Sequence, residues 1–212
     1  FADFTMEPRV HIRYLLSPSV VFKAGYNRQT NPLHQLDVTD IGITINRWMP
    51  ATKSFLPQVS NNFSAGFSFT NNNWLRFDAE CYYRTMDNLI ETMHNEEILT
   101  NYYPDNFLYS SSGKAKGIET SATLSFNKVE AIINYTISDV YWKITGINQD
   151  DYYPASYNKP HHINIIASYK TGRRLSATAV WTYASGSPYT PAAGKYILDG
   201  KTMIYFDNTN IN

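Results

Sequence analysis

The 212-residue sequence has one cysteine, no long apolar run and no excess of either charge. A single cysteine, Cys81, excludes an intrachain disulfide. Without about 18 consecutive apolar residues there is no candidate transmembrane helix. The 18 basic and 18 acidic residues balance, which argues against nucleic acid as a partner. Residues 1–3 lack the features of a signal peptide, so we expect a processed chain or an internal fragment.

Aromatic residues are the abundant class. They make up 15% of the chain, led by 17 Tyr and 11 Phe. Tyrosine at this density is typical of membrane-interface girdles, sugar-binding surfaces or β-rich cores. These three environments are the first set of alternatives that the sequence offers.

Apolar and polar residues alternate with a period of two in eight stretches, and no stretch shows a convincing helical period. The stretches are 10–16, 20–26, 63–69, 74–84, 118–126, 129–137, 161–169 and 175–183. Each is roughly the 10 residues that a tilted strand needs to cross a bilayer. The pattern predicts an all-β protein built from eight strands.

Each predicted strand has one apolar and one polar side, because successive side chains in a strand point to opposite faces. In the stretch 74–84, Leu75, Phe77 and Cys81 alternate with Arg76 and Asp78. In a soluble sandwich the charged side faces bulk water, whereas in a transmembrane barrel it lines a wet interior and the apolar side meets lipid. One strand cannot distinguish the two.

The connections between the predicted strands alternate between short and long. The short ones, at 17–19, 71–73, 127–128 and 170–173, have residues typical of hairpin turns. The long ones cover about 27–61, 87–113 and 139–159, with a fourth after 185, and connections of that length are uncommon in compact domains. This asymmetry is typical of outer-membrane barrels, with periplasmic turns and extracellular loops.

The distribution of charge favours the same architecture. No predicted apolar face carries Arg, Lys, Asp or Glu near its centre, where an arginine facing lipid would cost roughly 2–4 kcal/mol. We therefore predict an antiparallel meander that forms part of a large transmembrane β-barrel. A soluble β-sandwich that binds carbohydrate or acts as an adhesin-like module is the alternative, and a small barrel that only anchors in the membrane is a third.

Several short motifs, in this order, resemble those of one family. They include Ala24-Gly25-Tyr26, Asn31-Pro32-Leu33-His34, Trp48-Met49-Pro50, Tyr82-Tyr83-Arg84, Gly117-Ile118-Glu119, Tyr135-Thr136-Ile137 and Tyr183-Ala184-Ser185-Gly186. The chain resembles the C-terminal barrel half of TonB-dependent outer-membrane receptors, in the branch with a carboxypeptidase-regulatory-like N-terminal domain. The resemblance covers essentially the whole sequence.

The resemblance implies a receptor in the outer membrane of a Gram-negative bacterium that imports a scarce, bulky ligand with TonB-supplied energy. Its partners would be outer-membrane lipid, its own plug domain, the TonB complex, a small-molecule, glycan or peptide ligand, and a surface lipoprotein as a further candidate. Because no final strand ending in an aromatic residue is visible, we expect residues 1–212 to be a partial barrel without the plug and the last strands.

Five charged residues on the predicted polar faces form a candidate lumen wall: Arg76, Asp78, Glu80, Arg84 and Glu119. They either contact ligand or plug, or pair with one another across strands, and we favour the pairing. Asp78 and Glu80 also have the chemistry of an acid–base pair, but no nucleophile or glycine elbow accompanies them. The sequence therefore predicts no enzyme and no catalytic residue.

No metal or cofactor is predicted. His161 and His162 are adjacent in a strand, so they point to opposite faces and cannot chelate one ion together. Asp150 and Asp151 could contribute to a calcium site, but their irregular spacing favours a solvated loop.

The predicted long loops carry aromatic residues that are candidates for ligand binding: Trp48, Tyr102, Tyr103, Tyr141, Trp142, Tyr152 and Tyr153. Aromatic rings in such loops stack on sugars or grip amphipathic ligands. The alternative is that they pack the loops onto one another or onto a partner lipoprotein.

Overall fold

The computed structural model describes residues 5–40, 43–72, 74–92, 108–172, 174–189, 192–198 and 201–206. Their regular structure is β-strand apart from one 3-10 turn at Asn148–Asp150. The strands are β1 (Arg9–Ser17), β2 (Val20–Asn31), β3 (Leu33–Asp40), β4 (Ile43–Pro50), β5 (Gln58–Asn71), β6 (Leu75–Thr92), β7 (Leu108–Phe126), β8 (Val129–Ile144), β9 (Tyr153–Pro154), β10 (His161–Lys170), β11 (Ser176–Ala184), β12 (Ala192–Leu198) and β13 (Lys201–Phe206). The described residues include no helix that could cross a membrane.

The main sheet is an antiparallel meander. Its order is β1-β2-β5-β6-β7-β8-β10-β11, and β9 adds to β8 as a ninth strand. Strands β1 and β11 are its edges, so the described sheet is open. All eight predicted strands are present and lie side by side in sequence order, which confirms the predicted meander.

The apolar sides of the eight strands form one continuous face, because the register pairs the apolar-side residues of each strand with those of the next. Phe22 pairs with Phe67, Phe67 with Ala79, and Ala79 with Thr120, and the same alternation continues to β11. We call this side, which carries the apolar residues of the eight predicted stretches, the apolar face, and the opposite side the polar face. Ile12, at 64% exposed, is typical of the uncovered apolar side chains. This exposure is the opposite of what a β-sandwich would give, since there a second sheet packs on the apolar face.

The short connections are the predicted hairpin turns. Asn72 and Asn127 have positive φ, at 38° and 54°. Asparagine tolerates this left-handed region better than most residues, which is why it closes these turns. The short turns all lie at one end of the sheet.

The prediction of long connections was wrong in extent, because the strands continue well past the predicted ends. Strand β6 runs to Thr92 rather than to Arg84, and β7 begins at Leu108 rather than near residue 118. The segment 27–61 contains the hairpin β3–β4, and a second hairpin, β12–β13, follows residue 185. The end opposite the turns is therefore largely sheet, and we call it the long-connection end.

The densest packing is at the long-connection end. Leu36 and Met49 of the β3–β4 hairpin form a buried cluster with Ile90 of β6 and Leu108 of β7, and Phe55 packs against it. The hairpin is thus held against the upper ends of two strands of the main sheet, and the middle of the sheet has no core of its own within the described residues.

Candidate functional site

Asp78 is the centre of a polar network in the middle of the polar face. Its carboxylate accepts from Arg76 Nε at 2.9 Å and from Lys23 Nζ at 3.4 Å, and the Ser68 hydroxyl also donates to it. Lys23 reaches Asp78 across an intervening strand, since Lys23 lies opposite Gly66, which has no side chain. The cross-strand partners of Asp78 are therefore Ser68 and Lys23, whereas Arg76 lies on the same strand.

Glu80 and Glu119 lie directly opposite one another on β6 and β7. Like charges in such a pair destabilise a sheet unless something compensates them. Neither carboxylate has an ion pair or hydrogen bond among the described residues, although both line a recess of about 420 Å³. The pair is therefore a place where the polar face can accept a cationic group.

Arg84 lies higher on the polar face, where its Nε is 3.4 Å from the Asn62 side-chain oxygen. It lines a second recess of about 420 Å³ with Arg9 and Glu7. Arg9 and Glu7 form an exposed ion pair of 3.4 Å. The five predicted wall residues thus share one face, and among them Arg76 and Asp78 form an ion pair.

Trp142 and Tyr153 face the polar side at the long-connection end. They are paired residues of β8 and β9, and Trp142 continues the polar-face alternation of β8. Trp142 Nε1 donates to the Tyr157 hydroxyl at 2.8 Å, and the two rings meet edge to face with centroids 6.2 Å apart. We call Trp142, Tyr153 and Tyr157 the aromatic platform.

Burial and a nearby carboxylate change the pKa of a tyrosine in the aromatic platform. Burial, and secondarily the charge of Glu91, raises the pKa of Tyr153 to about 12. The phenol therefore stays protonated, and able to donate a hydrogen bond, to a higher pH than an ordinary tyrosine. Tyr157 is 57% exposed, so the platform keeps an open ring surface.

Tyr141 and Tyr152 lie on the other side of the sheet, on the continuation of the apolar face. Tyr141 pairs with Lys114, whose Nζ lies 3.6 Å from the centre of the Tyr152 ring. Lys116 Nζ is 6.0 Å from the Tyr141 ring and 3.9 Å from Asp139. The structure therefore separates neighbouring aromatic residues that the sequence hypothesis treated as one set.

The remaining candidate aromatics are spread out. Trp48 lies on β4, opposite Gln35, and is 58% exposed. Tyr102 and Tyr103 lie outside the described residues. Trp48 is therefore separate from the aromatic platform in the fold, and its role in ligand binding stays a prediction.

The described residues bring no three His, Cys, Asp or Glu side chains together in a metal-binding group. His161 Nδ1 lies 3.0 Å from the Tyr135 hydroxyl, and its ring stacks on that tyrosine. Asp150 instead accepts a hydrogen bond from the Gly146 amide at 2.8 Å. The described surfaces offer charge, hydrogen bonds and aromatic rings, which is the chemistry of binding.

Sequence reasoning missed Tyr157 and Glu91 as members of the site. It selected aromatic residues that are adjacent in sequence, and Tyr157 stands alone in the segment 155–159. The period of two, continued from Ile137 to Trp142, would have assigned Trp142 to the polar side.

Comparisons with known proteins agree with this geometry. A family model described as TonB dependent receptor-like, beta-barrel matches residues 3–211. The fold is similar to the siderophore receptor PirA from Acinetobacter baumannii, with a TM-score of 0.57 and 15% sequence identity. That match covers 83% of this chain but 28% of the receptor, so the chain spans less than a third of that protein. No curated protein matches the chain.

Proposed function

Because the chain belongs to the TonB-dependent receptor family, we propose that it forms part of an outer-membrane receptor that binds a scarce, bulky ligand and imports it with TonB-supplied energy. Members of this family are transport receptors of the Gram-negative outer membrane and not enzymes. The observation that carries the proposal is the family match over residues 3–211, on a sheet with one continuous apolar face.

In this proposal residues 1–212 contribute about eight strands to a larger barrel, which in plugged outer-membrane transporters has about 22 strands. The apolar face contacts lipid and the polar face lines the lumen. The plug domain, the final strands and the TonB contact belong to other parts of the complete protein. A surface lipoprotein that covers the long-connection end is a further proposed partner.

The Glu80–Glu119 pair supports a contact with the plug. Two opposed carboxylates without partners among the described residues need positive charge nearby, and a plug inside the barrel can supply it. We assign this role to an arginine or lysine of the plug domain, which would seat on the recess beside the pair.

Ligand binding is assigned to the aromatic residues at the long-connection end, with the aromatic platform as its main surface. Its rings face the lumen side, where a ligand has to enter, and a half-buried indole with an open ring surface is a typical binding-site residue. Trp48 and Tyr102 and Tyr103 are proposed as outer contacts. Tyr141 and Tyr152 contribute less, because they lie on the opposite face.

Uptake measured in cells tests the transport function. Cells with the complete receptor are given a panel of labelled ligands, starting with ferric siderophores and continuing with cobalamin, oligosaccharides and peptides. We expect uptake of one class that requires both the receptor and TonB. A receptor that fractionates as a soluble protein, or uptake that is equal without TonB, would rule the proposal out.

The same assay tests the platform with Trp142→Ala against Tyr141→Ala as a matched control. The two residues are neighbours on β8 and face opposite sides. We expect Trp142→Ala to weaken ligand binding roughly tenfold or more and Tyr141→Ala to change it by less than about twofold. Equal losses would contradict the platform and leave the transport function intact.

A further inference from the structure

The apolar face changes character abruptly near the long-connection end. From the short turns up to Tyr83, Ile118 and Ile137, no Lys, Arg, Asp or Glu lies on it in the eight strands of the main path. The next residues on the same face of β7 and β8 are Lys116 and Asp139. Charge facing lipid is tolerated only near the bilayer interface, so this step marks where the hydrocarbon ends.

Three lysines follow this step on two neighbouring strands. Lys116 and Lys114 are successive apolar-face residues of β7, and Lys143 lies opposite Ser112, one further position up the same face. We call Lys114, Lys116 and Lys143 the lysine patch. Successive positions on one face are about 7 Å apart, a spacing that allows two ammonium groups to reach one phosphate.

Aromatic rings lie beside two of the three lysines of the patch. Lys114 Nζ lies over the Tyr152 ring at 3.6 Å, and Lys116 Nζ lies 6.0 Å from the Tyr141 ring. A cation held over an aromatic ring loses less freedom when it binds an anion than one on a free chain. The arrangement also gives Tyr141 and Tyr152 a role that does not involve the lumen.

Positive charge exceeds negative charge at this level of the apolar face. Arg28 of β2 lies there as well as the lysine patch, and the carboxylates are Asp87 and Asp139. Asp139 is 3.9 Å from Lys116, a distance at which an exposed pair binds weakly. Among the described strand residues at this level, four cations therefore stand against two anions, an excess of positive charge.

We propose that the lysine patch docks the phosphate groups of lipid headgroups in the outer leaflet. The assignment rests on the proposed membrane position of the sheet. The lysine patch continues the proposed lipid-facing surface and is positively charged. Basic residues at the edge of the hydrocarbon region attract anionic headgroups. The assignment adds a lipid contact that is independent of the transported ligand.

Binding of defined lipids to the complete receptor tests this assignment. The receptor is placed in phosphatidylcholine nanodiscs that contain bis-phosphorylated lipid A or the same lipid without phosphates, and bound copies are counted by native mass spectrometry. For the triple variant K114Q/K116Q/K143Q we expect at least roughly a tenfold loss of binding to the phosphorylated form. The dephosphorylated form should bind equally weakly to the variant and the wild type.

The control is K128Q/K170Q, which removes two lysines at the short-turn end of the sheet. It should bind phosphorylated lipid as the wild type does. Heat-modifiable gel mobility checks that every variant is folded. Unchanged binding by the triple variant overturns the assignment, as does equally tight binding of inorganic phosphate in detergent. Either result would contradict the lipid contact and leave the proposed TonB-dependent uptake intact. A receptor found outside the membrane would instead contradict the proposed function itself.

Discussion

His34 is the most completely buried polar side chain that the structure describes, at 0% exposed. Its Nδ1 lies 3.2 Å from Gln58 Nε2, and the backbone of Leu56 and Phe55 lies close enough to favour the protonated ring. Desolvation lowers the pKa of His34 from its usual 6.5. A charged imidazolium is therefore disfavoured at the place where the β3–β4 hairpin meets the main sheet.

Packing of the β3–β4 hairpin is expected to weaken in acid. The folded-state pKa of His34 lies below the unfolded value, so the neutral ring keeps the packing intact above pH 6.5. Stability is lost as the pH falls from 6.5 through the lower folded-state pKa. Hydrogen exchange of the β3 amides in the complete receptor, measured from pH 7.5 down to 5, reports this loss.

His34→Leu removes the titrating group and places an apolar side chain at the buried position. It should flatten the pH dependence of amide protection in β3, whereas His11→Gln, in β1, should not. A pH profile that is the same in wild type and His34→Leu would show that another group controls the hairpin.

At the scale of the element, Gly66 is the described glycine at which an added Cβ would meet the closest neighbour. A Cβ built there falls on the backbone carbonyl oxygen of Ala79 and within 3.1 Å of the Glu80 Cβ. Backbone atoms of a neighbouring strand cannot move aside without breaking the ladder. The same glycine leaves the space through which Lys23 reaches Asp78.

We expect Gly66→Ala to destabilise the barrel by about 1–3 kcal/mol. Gly172→Ala is the matched control, because nothing lies within 4 Å of its Cβ position, and it should change stability by less than about 0.5 kcal/mol. Thermal unfolding of the complete receptor in detergent, followed by gel mobility, gives both values. If both variants unfold at the same temperature, the close approach at Gly66 has no energetic cost.

The sequence predicted the strands where the two faces differ in polarity and failed where they do not. Between Leu75 and Tyr83 the alternation is clear, because one face is apolar and the other is polar. Beyond Tyr83 both faces are polar, with Thr85 and Lys114 on the side that was apolar below. An alternation of apolar and polar residues is then absent. The strand extensions and the β3–β4 hairpin were therefore interpreted as loops.

At the scale of the whole molecule, the proposed orientation of the strands relative to lipid can be measured. We expect Phe77→Cys to react with a bilayer-restricted thiol probe, and Asp78→Cys to react with a water-soluble one. Both changes are made in a Cys81→Ala background, because Cys81 lies on the apolar face. The complete receptor is labelled in native membranes.

Thr123→Cys provides a second polar-face position, opposite Arg76 and outside the Asp78 network. It is a control, because Asp78→Cys also removes the partner of Lys23 and Arg76 and could change labelling for that reason. Equal labelling of Phe77→Cys and Thr123→Cys by the bilayer-restricted probe would contradict the orientation of the whole sheet.

Strands β6, β7 and β8 continue past the end of the apolar face, and this extension affects the stiffness of the sheet. From Tyr83 to Thr92, β6 rises by roughly 30 Å at about 3.4 Å per residue, and β7 pairs with its upper part. The walls beside the aromatic platform are thus stiff, since bending them would break the hydrogen-bonded ladders that join these strands. We expect a bound ligand to be released by a rearrangement inside the barrel, while these walls stay upright.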